Sequence, residues 1–277
     1  METEKNEVVE AVQVGGGWWR LVKVVAAVSF GAVLVGFALH QPPRTSTNFA
    51  DADIHSEYVK YASGSDTITA YLAFPERADK APAVIVIHDI YGMSDRLRPA
   101  VEQLARRGFV AIGPDLLSRR GGTPANQDST RRLIGALNAD TVTRDLDATY
   151  AYLQTLTAVR VDRIGVIGFC WGGAQSFRYA TNNPKLGAFV VCYGSGPDTA
   201  TLARIKAGGL GVYGENDARI NAGLTDLTAA LQRARVDYQY HVYPGVGHAF
   251  LQTREKPEVA DSAWLAIERF FRERLDR

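Results

Sequence analysis

Residues 164–173 read Ile-Gly-Val-Ile-Gly-Phe-Cys-Trp-Gly-Gly, and this decapeptide constrains the chain more than any other segment. The mostly apolar positions 164–167 fit a buried strand, and 174–181 has a helical pattern. Between them lies G-x-C-x-G-G, so strand must pass into helix through one sharp turn. A Cβ at Gly168 or Gly172 would collide with neighbouring backbone, which is why glycine is needed on both sides. The turn lifts the Cys170 thiol clear of the sheet, and the helix N-terminus behind it favours thiolate. Cys170 is therefore a candidate nucleophile. A structural cysteine packed between glycines competes with that reading while the decapeptide stands alone.

The order of the remaining polar candidates favours the nucleophile. Cys170 is followed by Asp217 in Val-Tyr-Gly-Glu-Asn-Asp at 212–217, where a strand runs into a polar loop. His248 follows in Tyr-Pro-Gly-Val-Gly-His-Ala-Phe at 243–250, just after the strand-like 238–243. Nucleophile, acid and histidine thus come in the order that a hydrolytic triad on a parallel α/β sheet requires. Each lies at the C-terminal end of an expected strand, where open α/β sheets gather their sites.

Strand patterns fall at 57–61, 67–74, 83–88, 109–113, 163–168, 188–192, 210–213 and 238–243, with helical patterns at 97–107, 140–156, 218–235 and 259–275. After an initial hairpin, this alternation predicts a mostly parallel central sheet with helices on both faces. The 277 residues are 46% hydrophobic, ample for a sizeable core, and a net charge of +1 gives no electrostatic case for nucleic acid. Two cysteines cannot make a disulfide framework, and Cys192, at the end of an apolar run, reads as a buried strand residue. His88 and His241 read as packed strand-end and strand histidines, Asp115 as a loop brace, and neither His40 nor His55 suggests a metal site.

The first fifty residues differ in kind. The run 21–39 is apolar on every face apart from Lys23 and Ser29, with Trp18, Trp19 and Arg20 before it. At about 1.5 Å per residue it nearly spans a hydrocarbon core of ~30 Å. The expected organisation is a tail at 1–20, a transmembrane anchor at 21–40, a linker at 41–54 and one catalytic domain at 55–277. Arg20 and Lys23 imply a cytoplasmic N-terminus, with the domain anchored on the extracytoplasmic side. Signal cleavage after the small-x-small Gly36-Phe37-Ala38 and export is the alternative.

The globular part, over nearly all of 57–275, resembles the dienelactone hydrolase (carboxymethylenebutenolidase) family of α/β-hydrolases. The resemblance is carried by Val-Ile-Val-Ile-His-Asp-Ile-Tyr-Gly at 84–92, Pro-Asp-Leu-Leu-Ser-Arg at 114–119, Gly-Phe-Cys-Trp-Gly-Gly at 168–173, Glu-Asn-Asp at 215–217 and Gly-His-Ala-Phe at 247–250. It implies Cys170 as nucleophile, His248 as base, Asp217 as its orienter, and the amides of Ile90 and Trp171 as an oxyanion hole. Asp89 matches a glutamate that touches the resting cysteine, one methylene shorter here. Arg119 matches an arginine that grips the substrate carboxylate, with Tyr91 and Arg254 as further substrate contacts. Gln252 stands where the family has a second such arginine. The implied protein is a monomeric, cofactor-free hydrolase of small lactones or activated esters, acting through a thioester. Other readings are a general carboxylesterase or thioesterase of the same fold, an amidotransferase-like cysteine elbow, or a membrane-tethered binding protein without turnover.

Overall fold

The structure, a computed structural model, describes residues 53–276. The tail, the apolar run and all but the last two linker residues lie outside the described residues, so the expected anchor does too. Among the described residues no helix is long and apolar enough to cross a membrane. The linker boundary moves by one residue, because Ile54 already opens the first strand.

Strands β1 (Ile54–Ser63) and β2 (Asp66–Pro75) form the expected hairpin, paired in register out to Ser63 opposite Asp66. Gly64 turns it with φ +64°, a left-handed conformation that costs glycine nothing. The chain continues through β3 (Ala81–Ile87), α1 (Leu97–Arg106), β4 (Val110–Pro114), α2 (Gln127–Gly135), α3 (Ala139–Thr155), β5 (Val159–Phe169), α4 (Trp171–Asn182) and β6 (Ala188–Cys192). It ends with β7 (Gly208–Gly214), α5 (Ala218–Asn221), α6 (Leu224–Arg233), β8 (Tyr238–Tyr243), α7 (Phe250–Thr253) and α8 (Pro257–Leu275). The eight strands lie in the order β1-β2-β4-β3-β5-β6-β7-β8. The hairpin is antiparallel and β2 meets β4 antiparallel; every pairing from β4 through β8 is parallel.

Both faces of the sheet are covered, which explains why the central strands read as unbroken apolar runs rather than alternating ones. All seven residues of β3 and all five of β6 are buried. Alternate side chains still go to opposite layers. Ala83, Ile85 and Ile87 join the core under α3, α4 and α6 with Leu146, Phe177 and Leu227. Val84 and Val86 join the other, with Val101 and Leu104 of α1 and Trp264, Ile267 and Phe271 of α8.

Two elements depart from the sequence pattern. Helix α2 has no strong apolar stripe, and it begins at Asn126, whose side chain accepts the Ser129 amide at 2.9 Å. The helical pattern at 218–235 is broken at Ala222 and Gly223 into α5 and α6. The break serves the loop below it: Asn221 donates from its side chain to the carbonyls of Gly214 (2.9 Å) and Glu215 (3.2 Å). Those bonds hold the segment that leads from β7 to Asp217.

Candidate active site

Strand β5 delivers Phe169 at the carboxyl edge of the sheet, and Cys170 follows with φ 57° and ψ −116°. A non-glycine residue there stores about 1–3 kcal/mol of backbone strain, held in place by its surroundings. The Cys170 amide donates to the Cys192 carbonyl at 3.0 Å, and its own carbonyl accepts from Ala174 at 3.2 Å as α4 begins. A Cβ on Gly168 would run into the backbone of Gly172, and one on Gly172 into the carbonyls of Ile87 and His88. The elbow is therefore pressed against the end of β3, as its glycines require. Cys192 is fully buried in β6 and neither cysteine is in a disulfide.

Asp217 is buried and fixed by a backbone bond from its amide to the Gly214 carbonyl at 3.2 Å. His248 comes from the loop after β8, which is pinned by Glu215 accepting from Gly245 (2.8 Å) and Glu255 accepting from Gly247 (3.0 Å). His248 Nδ1 lies 2.5 Å from Asp217 Oδ2, and Cys170 is the other side chain that acts on the imidazole. With Nδ1 on the carboxylate, Nε2 is the nitrogen left for sulfur. The hydrogen bond with Cys170 is the larger influence raising the His248 pKa above its ordinary value; Asp217 adds to it, and burial opposes both. The histidine and the aspartate named by the sequence are thus hydrogen-bonded, with Cys170 close enough to bias the imidazole.

The turn after β3 supplies the facing wall. Tyr91 N–H donates to Asp89 Oδ1 at 2.7 Å, Gly92 N–H to the Asp89 carbonyl at 3.3 Å, and Met93 N–H to Thr123 Oγ1 at 2.9 Å. Among the described residues, neither the Ile90 amide nor the Trp171 amide at the start of α4 donates to a protein acceptor. Unpaired amides at a helix start and a neighbouring turn are an arrangement suited to an anionic oxygen.

The other candidates part company. Asp89 is buried in the wall, and burial, its largest influence, pushes its pKa up. Its Oδ1 is bound to the Tyr91 amide rather than to sulfur, and Gln252 opposes the shift. Tyr91 lies beside it with the Arg96 guanidinium 4.7 Å above the ring. Arg119 is engaged within the protein. All three of its guanidinium nitrogens are committed to Asp145, Asp66 and Ser63, with Nε 3.0 Å from Asp145 Oδ1 and Nη2 2.9 Å from the Ser63 carbonyl. It braces the hairpin turn against α3, with each of its three nitrogens already on a protein acceptor. Arg254 closes α7 with φ 52° and pairs with Asp261 of α8 at 3.0 Å.

Tyr193 was not legible as a site residue. It follows β6 with φ 42°, is fully buried, and its ring centroid is 5.1 Å from that of His248. Its hydroxyl donates to Gln252 Oε1 at 3.4 Å, so Gln252 packs at Tyr193 where an arginine was the family expectation. One signal existed: Tyr193 opens Tyr-Gly-Ser-Gly at a strand end, the same kind of position that flagged Cys170, Asp217 and His248.

A family model described as the dienelactone hydrolase family matches residues 68–275. A protein of Methylorubrum extorquens named "Putative carboxymethylenebutenolidase" is 30% identical over 87% of this chain and 90% of its own length. A Bradyrhizobium protein named "Probable 2-oxo-3-(5-oxofuran-2-ylidene)propanoate lactonase" is 30% identical over 78% of this chain and 93% of its own. Among solved structures, a Klebsiella pneumoniae protein named "Putative Dienelactone Hydrolase" superposes with a TM-score of 0.73 at 28% identity, covering 79% of this chain and 98% of that one.

Proposed function

Because the chain belongs to the dienelactone hydrolase family, and so to hydrolases acting on lactones and esters, we propose that it cleaves lactones and activated esters with Cys170 as nucleophile, through a thioester. The observation that carries this reading is His248 held by Asp217 and biased by Cys170, which sits on the strained elbow next to the unpaired amides of Ile90 and Trp171. His248, held by Asp217 with its proton on Nδ1, takes the thiol proton on Nε2. The thiolate adds to the carbonyl carbon, and the carbonyl oxygen becomes an anion between the two amides. Each such donor contributes about 2.7–4 kcal/mol to a transition state of this type. The adduct collapses with protonation of the leaving oxygen by His248. Water, deprotonated by the same imidazole, then releases the acid and returns the thiolate.

Leaving-group chemistry narrows the substrate. A thiolate leaves more readily than a simple alkoxide, so adducts of ordinary alkyl esters revert to substrate. Enol lactones and aryl esters expel a more stable anion and go forward. The lactonase name of the Bradyrhizobium relative supports a lactone. With Arg119 committed to Asp145 and Gln252 neutral, selectivity is for neutral or mono-anionic substrates over dianionic ones. Intact-protein mass spectrometry after brief exposure to a panel of lactones and aryl esters tests the proposal. The expected product is one acyl adduct, mapped to Cys170; acylation elsewhere, or none with any turned-over substrate, would refute it.

The apolar run at 21–39, with Arg20 and Lys23 on its N-terminal side, supports a further proposal, that the catalytic domain is tethered outside the cytoplasm. An alkaline phosphatase fusion after Ala50 should be active, while a reporter that needs the cytoplasm stays dark. The reverse pattern would discard the topology and leave the hydrolase reading intact.

A further inference from the structure

We propose that His88 is a positioning residue that sets the oxyanion hole by fixing the peptide between Asp89 and Ile90. The inference rests on the reading of the Ile90 amide as an oxyanion donor. His88 follows β3 directly and is buried, and both ring nitrogens are engaged. Nδ1 lies 2.8 Å from the Asp89 carbonyl oxygen, and the Leu116 amide lies 3.3 Å from Nε2. A carbonyl only accepts and an amide only donates, so the ring is neutral and carries its proton on Nδ1. Burial, the largest influence on its pKa, acts in the same direction by disfavouring the charged form.

The Asp89 carbonyl and the Ile90 N–H belong to one planar trans peptide and point in opposite directions. Holding the oxygen on the imidazole therefore aims the N–H the other way. The next four amides are all taken: Tyr91 by Asp89 Oδ1, Gly92 by the Asp89 carbonyl, Met93 by Thr123 Oγ1 and Ser94 by the Gly92 carbonyl. The Ile90 amide is the one that this turn leaves open. Without the Nδ1 donor, only the 3.3 Å bond from Gly92 would hold the Asp89 carbonyl. A rotated peptide would then present oxygen, not N–H, to the developing anion. The same imidazole stacks on the Trp171 indole at 5.5 Å and 14°, so it packs on the residue that carries the second donor. Its Nε2 ties the assembly to the loop after β4, where Asp115 accepts from Leu117 (3.0 Å) and from Thr123 N (2.8 Å).

Acylation of Cys170 by an aryl acetate needs the oxyanion hole, whereas alkylation by iodoacetamide needs only the thiolate. In His88→Phe, which keeps a flat ring but no donor, acylation and kcat should fall about 10²- to 10³-fold with KM within about threefold. The alkylation rate should stay within about threefold of wild type, and His88→Asn, whose amide can donate near the Nδ1 position, should recover at least about tenfold of the loss. Equal losses in acylation and alkylation, or an unchanged kcat, would overturn the proposal. Absence of acylation in the wild-type protein would instead defeat the nucleophile reading beneath it. Nitrogen NMR of the wild-type imidazole is independent of any variant's folding: a His88 proton on Nδ1 is expected, and one on Nε2 would overturn the assignment.

Discussion

Two polar clusters flank the sheet, and they are finished to different degrees. Around Arg119, every nitrogen has a protein acceptor. Its nitrogens bind Asp145, Asp66 and Ser63, Ser63 Oγ donates to Asp145 at 2.7 Å, and Tyr61 and Thr149 share a bond at 2.7 Å beside them. Around Cys170, groups are left over. Among the described residues two amides have no protein acceptor, the nucleophile candidate sits at φ 57°, and a histidine is raised toward its charged form. Saturated hydrogen bonding lowers the energy of the native state and leaves nothing for a ligand, whereas open valence costs stability and is retained where a reacting atom will fill it. Arginine chemistry near a cleft is thus poor evidence of substrate contact until its partners are counted.

The contrast is broken most directly at Cys170. Cys170→Ala should lower kcat for an aryl ester by about 10⁴-fold or more while leaving the melting temperature within a degree or two. A variant retaining a few per cent of activity would remove the elbow from the chemistry. Arg119→Ala should do the opposite. It leaves Asp145, 1% exposed, without its cation, and breaking such a pair costs about 3–5 kcal/mol. For a domain of this size that corresponds to roughly 2–4 °C per kcal/mol. Calorimetry should show the loss while KM for anionic and neutral esters stays unchanged; a selective rise in KM for the anion would return Arg119 to the site.

Gln252→Arg sharpens the comparison by adding a cation to the open cluster, beside Asp89. A charge-assisted hydrogen bond of about 1.5–3 kcal/mol should shift the kcat/KM ratio of a carboxylated over a neutral lactone about ten- to a hundredfold. An unchanged ratio would mean that position 252 does not face substrate. The smallest effect concerns His248. Its raised pKa means that Cys170 and Asp217 stabilise the folded protein in acid, a contribution lost as pH rises through the folded value. Asp217→Asn removes one raising partner, so the ring protons of His248 should titrate at lower pH by NMR. A shift upward would contradict the assigned hydrogen-bond chain.

The alternation of strands and helices, the initial hairpin and the elbow are all legible along the chain. These follow from local rules: apolar runs, period, and glycines where a Cβ cannot fit at 168 and 172. The sequence also ordered Cys170, Asp217 and His248, because strand ends on a parallel sheet converge on one edge whatever the intervening lengths. Partner choice was decided only by tertiary structure. Nothing local tells that Arg119 faces Ser63, 56 positions away, rather than the cleft. The role of Gln252 depends on Tyr193, 59 positions away, and that of His88 on Leu116, 28 away. A hydrogen bond has a reach of about 3 Å, and which groups come within it is settled by how layers pack.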